Sequence, residues 1–319
     1  MICSIIYMEL VMYLDIEDYE IILGRILKKS KEIYPVDFGY VDEALVHRGV
    51  GITYYGESKK KKIKLIVYSP SLVIGNDADE IWAPTLSNIM RLIENLEKRV
   101  EKYFQADYGL HNFDLARIDF AVDIDVGSRE NVFNYIKVLH NIRQVKRFSP
   151  IKYGKRDGEE KDTCFGLVGN SNGVEFRVHG LKHEKRLLRA EVRLVKKATI
   201  KEYTNEYDTA EQIRDLAERS EPIFMNTFRY IIPPGDFYKK GKAEKLIWEK
   251  VSDFKMKHKM LRLLALTPEK KSLLLAQKSM DYRKIPRIME AFAEIDLSPI
   301  TISKRHDVKM LNSLYSYLD

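Results

Sequence analysis

The stretch LARIDFAVDID, residues 115–125, decides how this chain is read. Arg117, Asp119, Ala121, Asp123 and Asp125 share one parity, while Ile118, Phe120, Val122 and Ile124 share the other. Successive side chains of a β-strand point to opposite faces of a sheet, so one face is apolar and the other bears an arginine and three carboxylates. The apolar face calls for a covering layer. The charged face calls for water or for something bound.

Two later segments repeat the pattern. In LLRAEVRLV (187–195), Arg189, Glu191 and Arg193 alternate with Leu188, Ala190, Val192 and Leu194. In GVEFRVH (173–179), Glu175, Arg177 and His179 alternate with Val174, Phe176 and Val178. Set in one sheet, these strands gather Asp119, Asp123, Glu175 and Glu191 with four arginines and a histidine on one face. Close carboxylates repel unless a cation lies among them, and a hard divalent ion such as Mg2+ or Mn2+ suits oxygen ligands. Asp119, Glu191 and Asp123 are the candidate ligands. The plainer alternative is a solvated antiparallel face decorated with cross-strand Arg–Glu pairs.

Around these strands the chain alternates strands and helices. Residues 2–13 read as a strand and 16–33 as an amphipathic helix. VGITYYG and IKLIVYS flank ESKKKK as a hairpin whose tip carries Lys59, Lys60, Lys61 and Lys62, either contacting phosphates or simply solvated. PTLSNIMRLIENLEKRVEKYF sets Leu86, Ile89, Ile93, Leu96, Val100 and Phe104 at helical spacing behind Pro84. Ser128 is an N-cap for a helix burying Val132, Phe133, Ile136 and Leu139. TCFGLVG precedes the two charged strands, and a helix begins near Thr199.

No dinucleotide glycine motif and no phosphate-binding loop occur. The expected fold is α+β: a mainly antiparallel sheet with helices on its apolar face, built as two related ββαβ-like halves. RYIIPPGDFYKKGK (229–242) reads as a boundary between an α+β body, 1–228, and a mainly helical C-terminal module, 229–319. In that module helices are expected over 243–265, 268–277 (capped by Thr267 with Pro268 first), 282–295 and 306–318.

The chain of 319 residues is 45% hydrophobic and 32% charged, a globular composition. Its net charge of +7 is unevenly placed: residues 231–319 hold 18 Lys and Arg against 11 Asp and Glu, while the first 230 hold 36 of each. A basic tail beside a neutral body points to a polyanionic partner, nucleic acid before membrane surface. Two cysteines, Cys3 and Cys164, give no disulfide framework or zinc spacing, as expected of a cytoplasmic protein. The apolar opening segment is interrupted by Glu9 and lacks a basic leader, so no membrane anchor is expected. His179, His183 and His306 form no H-E-x-x-H motif and no His-hydrophobe-His pair, so zinc-hydrolase chemistry lacks its signature.

At these residues the chain resembles a family. LARIDFAVDI is similar to the R-I-D strand, and LLRAEVRLV to the L-R-F-E strand, of rolling-circle replication initiators of the filamentous-phage gene II and Rep_trans plasmid types. KLIVYSPSLVIGNDADEI resembles the segment leading into the long helix before the R-I-D strand, and GVEFRVHGLKHE a strand ending in a Tyr-x-Lys element. The resemblance covers about residues 60–200. Two positions depart from it: Ala190 stands where an aromatic is common, and His179 or Gly180 stands where the tyrosine belongs, with Lys182 retained.

The resemblance implies a metal-dependent endonuclease that nicks one strand at a replication origin through a tyrosine, with host replication proteins as further partners. Asp119, Glu191 and Asp123 would ligate Mg2+ or Mn2+, and Tyr203 or Tyr207, after the glutamate strand, would attack. Arg117, Arg177, Lys182, Arg189, Arg193 and the hairpin lysines would hold single- and double-stranded DNA. A homodimer fits such a role. The alternative is a DNA-binding relative that has lost the chemistry and acts in copy control or regulation.

Overall fold

The strand expected from residues 115–125 forms as β6, Asp114–Asp125, with Ile118, Phe120, Val122 and Ile124 all buried. The computed structural model describes residues 1–29, 33–36, 39–42, 49–55, 61–78, 80–104, 108–151, 163–280 and 282–318. The fold is α+β, with antiparallel strand ladders. The chain divides into two compact units, each made of separate segments. The first is Ile2–Val122 with Val192–Phe224; the second is Asp123–Glu191 with Met225–Asp319 and Met1. Strands β6 and β10 (Leu187–Leu194) contribute residues to both.

In the first unit, β1 (Ser4–Leu14) lies between β5 (Lys61–Val67) and β6, and β4 (Val50–Tyr55) pairs beyond β5. Two short strands, β2 (Ile33–Val36) and β3 (Gly39–Asp42), continue outward. Ile5, Met8, Leu10 and Met12 bury the apolar side of β1, and Trp82 donates its indole N–H to the carbonyl of Ile5 at 2.8 Å. Helix α1 (Ile16–Lys29) follows β1, and the short α2 (Pro70–Ile74) follows β5, capped by Ser69. Helix α3 (Leu86–Phe104) buries Ile89, Leu92, Leu96, Val100 and Phe104; of the expected stripe Ile93 is only half-buried, with Leu92 in the core in its place, and Leu86 lies exposed at the first turn. Helices α5 (Lys197–Tyr203) and α6 (Thr209–Glu218) follow β10, and Thr209 donates its hydroxyl to the Phe113 carbonyl. Lys59 and Lys60 lie outside the described residues. Lys62, on β5, stands 4.5 Å from the Tyr55 ring centroid.

In the second unit, Ser128 caps α4 (Arg129–Leu139) by accepting the Asn131 N–H at 3.1 Å. Val132, Ile136 and Leu139 are buried as expected. Phe133 is not: it is half-buried beneath the Arg129 guanidinium, and Tyr135 fills the core instead, edge-on to Phe237 and Tyr317. Strands β7 (Phe148–Pro150), β8 (Cys164–Gly169) and β9 (Val174–Gly180) pair in that order beside β10. The C-terminal segment belongs to this unit. Phe176 packs on Phe228, Phe228 on Tyr315, and the Tyr135 hydroxyl donates to the Asn312 carbonyl.

The helical reading of that segment needs three corrections, the first being that the single helix expected over 243–265 is broken at 251–253 into two. Helices form as α7 (Ser220–Ile231), α8 (Lys240–Lys250), α9 (Phe254–Lys270), α10 (Leu273–Lys278) and α11 (Ile285–Glu294). Residues 306–318 form no α-helix. Met310–Leu311 pair as β12 with β11 (Phe237–Tyr238), and the Ser313 N–H is held by the Asp236 carboxylate at 2.8 Å. Partners distant in the chain take the backbone groups that a helix would use, so packing overrides the local pattern. Thr267 and Pro268 do not open a helix either. Both lie in the last turn of α9, where the Thr267 hydroxyl bonds back to Leu263, and Ser272 caps α10.

Candidate functional site

In the first unit, the charged parity of β6 meets a polar parity of β1 that the charge pattern did not single out. Tyr7 stands opposite Asp119 and Glu9 opposite Arg117 in the β1–β6 register, which carries two irregularities. Arg117 grips Asp119 at two points, Nε to Oδ1 at 2.8 Å and Nη2 to Oδ2 at 2.5 Å. Arg193 of β10 approaches the same carboxylate at 3.4 Å. Asp119 is only 2% exposed, so its charge is removed from water and set against these guanidinium groups.

The Arg117 guanidinium also lies 4.3 Å from the Tyr7 ring centroid, a cation–π contact. The Tyr7 hydroxyl donates to Glu9 Oε1 at 2.7 Å, and Lys64 of β5 donates to Glu9 Oε2 at 2.8 Å. Burial, reinforced by Glu9, pushes the Tyr7 hydroxyl up, so it stays protonated at neutral pH. Burial also favours protonation of Glu9, but the hydrogen bonds from Lys64 and Tyr7 and the charges of Lys64 and Arg117 outweigh it and hold the carboxyl below its usual range. The result is a neutral tyrosine donating to a charged carboxylate beside Arg117 and Lys64.

In the second unit, Arg189 of β10 holds Asp123 of β6 through Nε and Nη2 at 2.7 and 2.8 Å. His179 Nε2 lies 2.9 Å from Glu191 Oε1, Arg177 pairs with Glu175 at 3.2 Å, and Arg186 pairs with Asp125 at 3.1 Å. Lys182 is exposed after β9. The two tyrosines expected after the glutamate strand differ sharply. Tyr203, the last residue of α5, is half-buried, and burial together with Glu202 raises its hydroxyl. Tyr207 is 91% exposed.

No protein-family model, curated protein or solved structure matches this chain. No helix among the described residues is long and apolar enough to cross a membrane. The side chains as arranged do not fit a bound divalent ion. Asp119 and Asp123 each give both carboxylate oxygens to a guanidinium, Glu191 gives one to His179, and no group of three or more metal-ligating side chains assembles among the described residues. A hard cation would have to displace protein cations already in ideal two-point geometry.

Sequence reasoning missed Tyr7, Glu9 and Lys64. The alternation was present in SIIYMEL (4–10), where Tyr7 and Glu9 share a parity. What it lacked was the strand to set beside it.

Proposed function

We propose that the protein binds DNA as a replication protein of the rolling-circle initiator kind, serving a phage, plasmid or integrated element. One observation carries the reading: each of the two strands that resemble the family's motifs turns its arginines and carboxylates to the other. Arg193 reaches Asp119 in the first unit, and Arg189 reaches Asp123 in the second. Guanidinium groups in fixed orientation suit the phosphodiester backbone, and the basic C-terminal residues add to that attraction. The paired carboxylates favour a protein that binds and regulates rather than one that cuts with a metal.

Binding to duplex DNA carrying the element's origin, followed by fluorescence anisotropy at several salt concentrations, tests this. Affinity is expected to fall steeply with salt and to weaken in Arg193→Gln. No affinity at low salt overturns the reading.

The Tyr7–Glu9 hydrogen bond favours a second reading, in which the strand is nicked. The Tyr7 oxygen would bond to phosphorus as its proton passes to Glu9. The phosphorus–3′-oxygen bond would break, and the 3′-oxygen would take a proton from water. A supercoiled-plasmid assay with Mg2+ or Mn2+ separates the readings. A covalent DNA adduct lost in Tyr7→Phe establishes this chemistry, loss in Tyr203→Phe assigns it to the other tyrosine, and binding without nicking leaves the first reading alone standing.

A further inference from the structure

A feature of the second unit lies outside the charged strands. Helix α8 ends at Lys250 and α9 begins at Phe254, so three residues join them. Asp253 caps α9, accepting the N–H groups of Lys255 and Met256 at 2.8 and 3.3 Å. The tight link sets Trp248, in the last turn of α8, against Phe254 and His258, one turn apart on α9. Ring centroids lie 6.4 Å apart for Trp248 and Phe254, 5.8 Å for Trp248 and His258, and 4.2 Å for Phe254 and His258.

These rings are not part of the core. The helices bury Ala243 and Ile247 of α8 and Met260, Leu263 and Leu264 of α9, leaving Trp248 46% and Phe254 65% exposed. Adjacent exposed aromatics forgo a large burial gain, which marks a surface for a partner. The surroundings select the partner's charge. From Lys239 to Lys259 eight lysines stand against three carboxylates. Glu244 and Glu249 are paired with Lys240 and Lys245, and Asp253 is occupied as the cap. Lys257 reaches over the Trp248 ring, 5.2 Å from its centroid.

We propose that Trp248, Phe254 and His258 form a stacking platform for single-stranded nucleic acid, with Lys250, Lys255 and Lys257 taking its phosphates. Unpaired bases expose π-faces that stack on aromatic rings whatever the sequence, and lysines track the backbone. A membrane-surface helix presents a long apolar face. Here the apolar faces of both helices are turned inward, and only two large rings remain outside. This inference goes beyond the origin-binding reading and does not depend on it, because it uses none of the β6 or β10 residues.

The chain's two tryptophans make the test direct. Trp82 is 2% exposed and hydrogen-bonded to Ile5, so a fluorescence change on adding an oligonucleotide reports Trp248. Titration of the full chain with oligo-dT and oligo-U is expected to quench the emission saturably. The stronger quencher tells DNA from RNA. Phe254→Ala is expected to weaken binding roughly 5- to 150-fold. Phe254→Tyr should restore it, and Lys255→Gln with Lys257→Gln should flatten its salt dependence. The proposal is overturned by an absence of quenching with either oligonucleotide, or by equal affinity for a duplex of the same length. Unchanged affinity in both the Phe254→Ala and the double lysine variants overturns it too, as does quenching by phosphatidylserine vesicles alone. Loss of origin-duplex binding in Arg193→Gln with quenching intact would show the two sites to be separate.

Discussion

Arg189 and Asp123 form a two-point ion pair on the polar side of β6 and β10, with both guanidinium-to-carboxylate bonds under 3 Å. Both side chains are largely removed from water. Removing one partner strands the other charge, whereas replacing both removes the desolvation cost as well. Arg189→Met is therefore expected to lower stability by about 3 kcal/mol. Adding Asp123→Asn should recover most of the loss. Urea midpoints of the single and double variants check this.

The Tyr7–Glu9–Lys64 cluster makes stability depend on acid pH. Glu9 is held below the ordinary glutamate value of about 4.3, so its contribution is complete above that value and is lost as pH falls through the lower folded one. Glu9→Gln should lose about 1.5–3 kcal/mol at neutral pH and show a flatter acid limb. Denaturant midpoints from neutral to acid pH give both quantities.

Cys3 is pushed up to about 12 by burial, partly offset by a hydrogen bond involving Ser220. Its thiolate is scarce at neutral pH, and Cys164 is buried as well. Neither thiol should react with a disulfide reagent in the native protein, and both should react once it unfolds. The rate of colour release with and without denaturant measures the difference.

Gly235 has a φ of +93°, and an added Cβ would lie 2.4 Å from the backbone carbon of Leu297. That backbone is fixed by bonds from Asp236 N–H to Asp296 and from Ser298 N–H to Asp236. Gly235→Ala meets both a conformational and a steric penalty, and is expected to cost about 2 kcal/mol or more. A lowered thermal midpoint with unchanged oligonucleotide quenching at low temperature would localise the effect to stability.

Much of the fold could be read before any coordinates, because burial on a strand or helix follows a short period. The alternation in β6, β9 and β10, the stripe of α3 and the Ser128 cap each depend on residues a few positions apart. Residues 306–318 carry a pattern of the same kind, yet Ser313 and Asp236 meet across 77 positions, and their bond selects a short strand and a tight turn instead.

The same boundary runs through LARIDFAVDID. Its alternation alone settled that Asp119 and Asp123 would share a polar face with Arg117, since a strand has only two sides. Which cation each carboxylate would meet was settled by register. Arg117 and Arg193 close on Asp119, with Tyr7 and Glu9 opposite Asp119 and Arg117 across a β1–β6 ladder with two irregularities, and Arg189 closes on Asp123. Strand pairing is a contact between distant residues, and one bulge shifts every partner beyond it, so no local pattern carries that information.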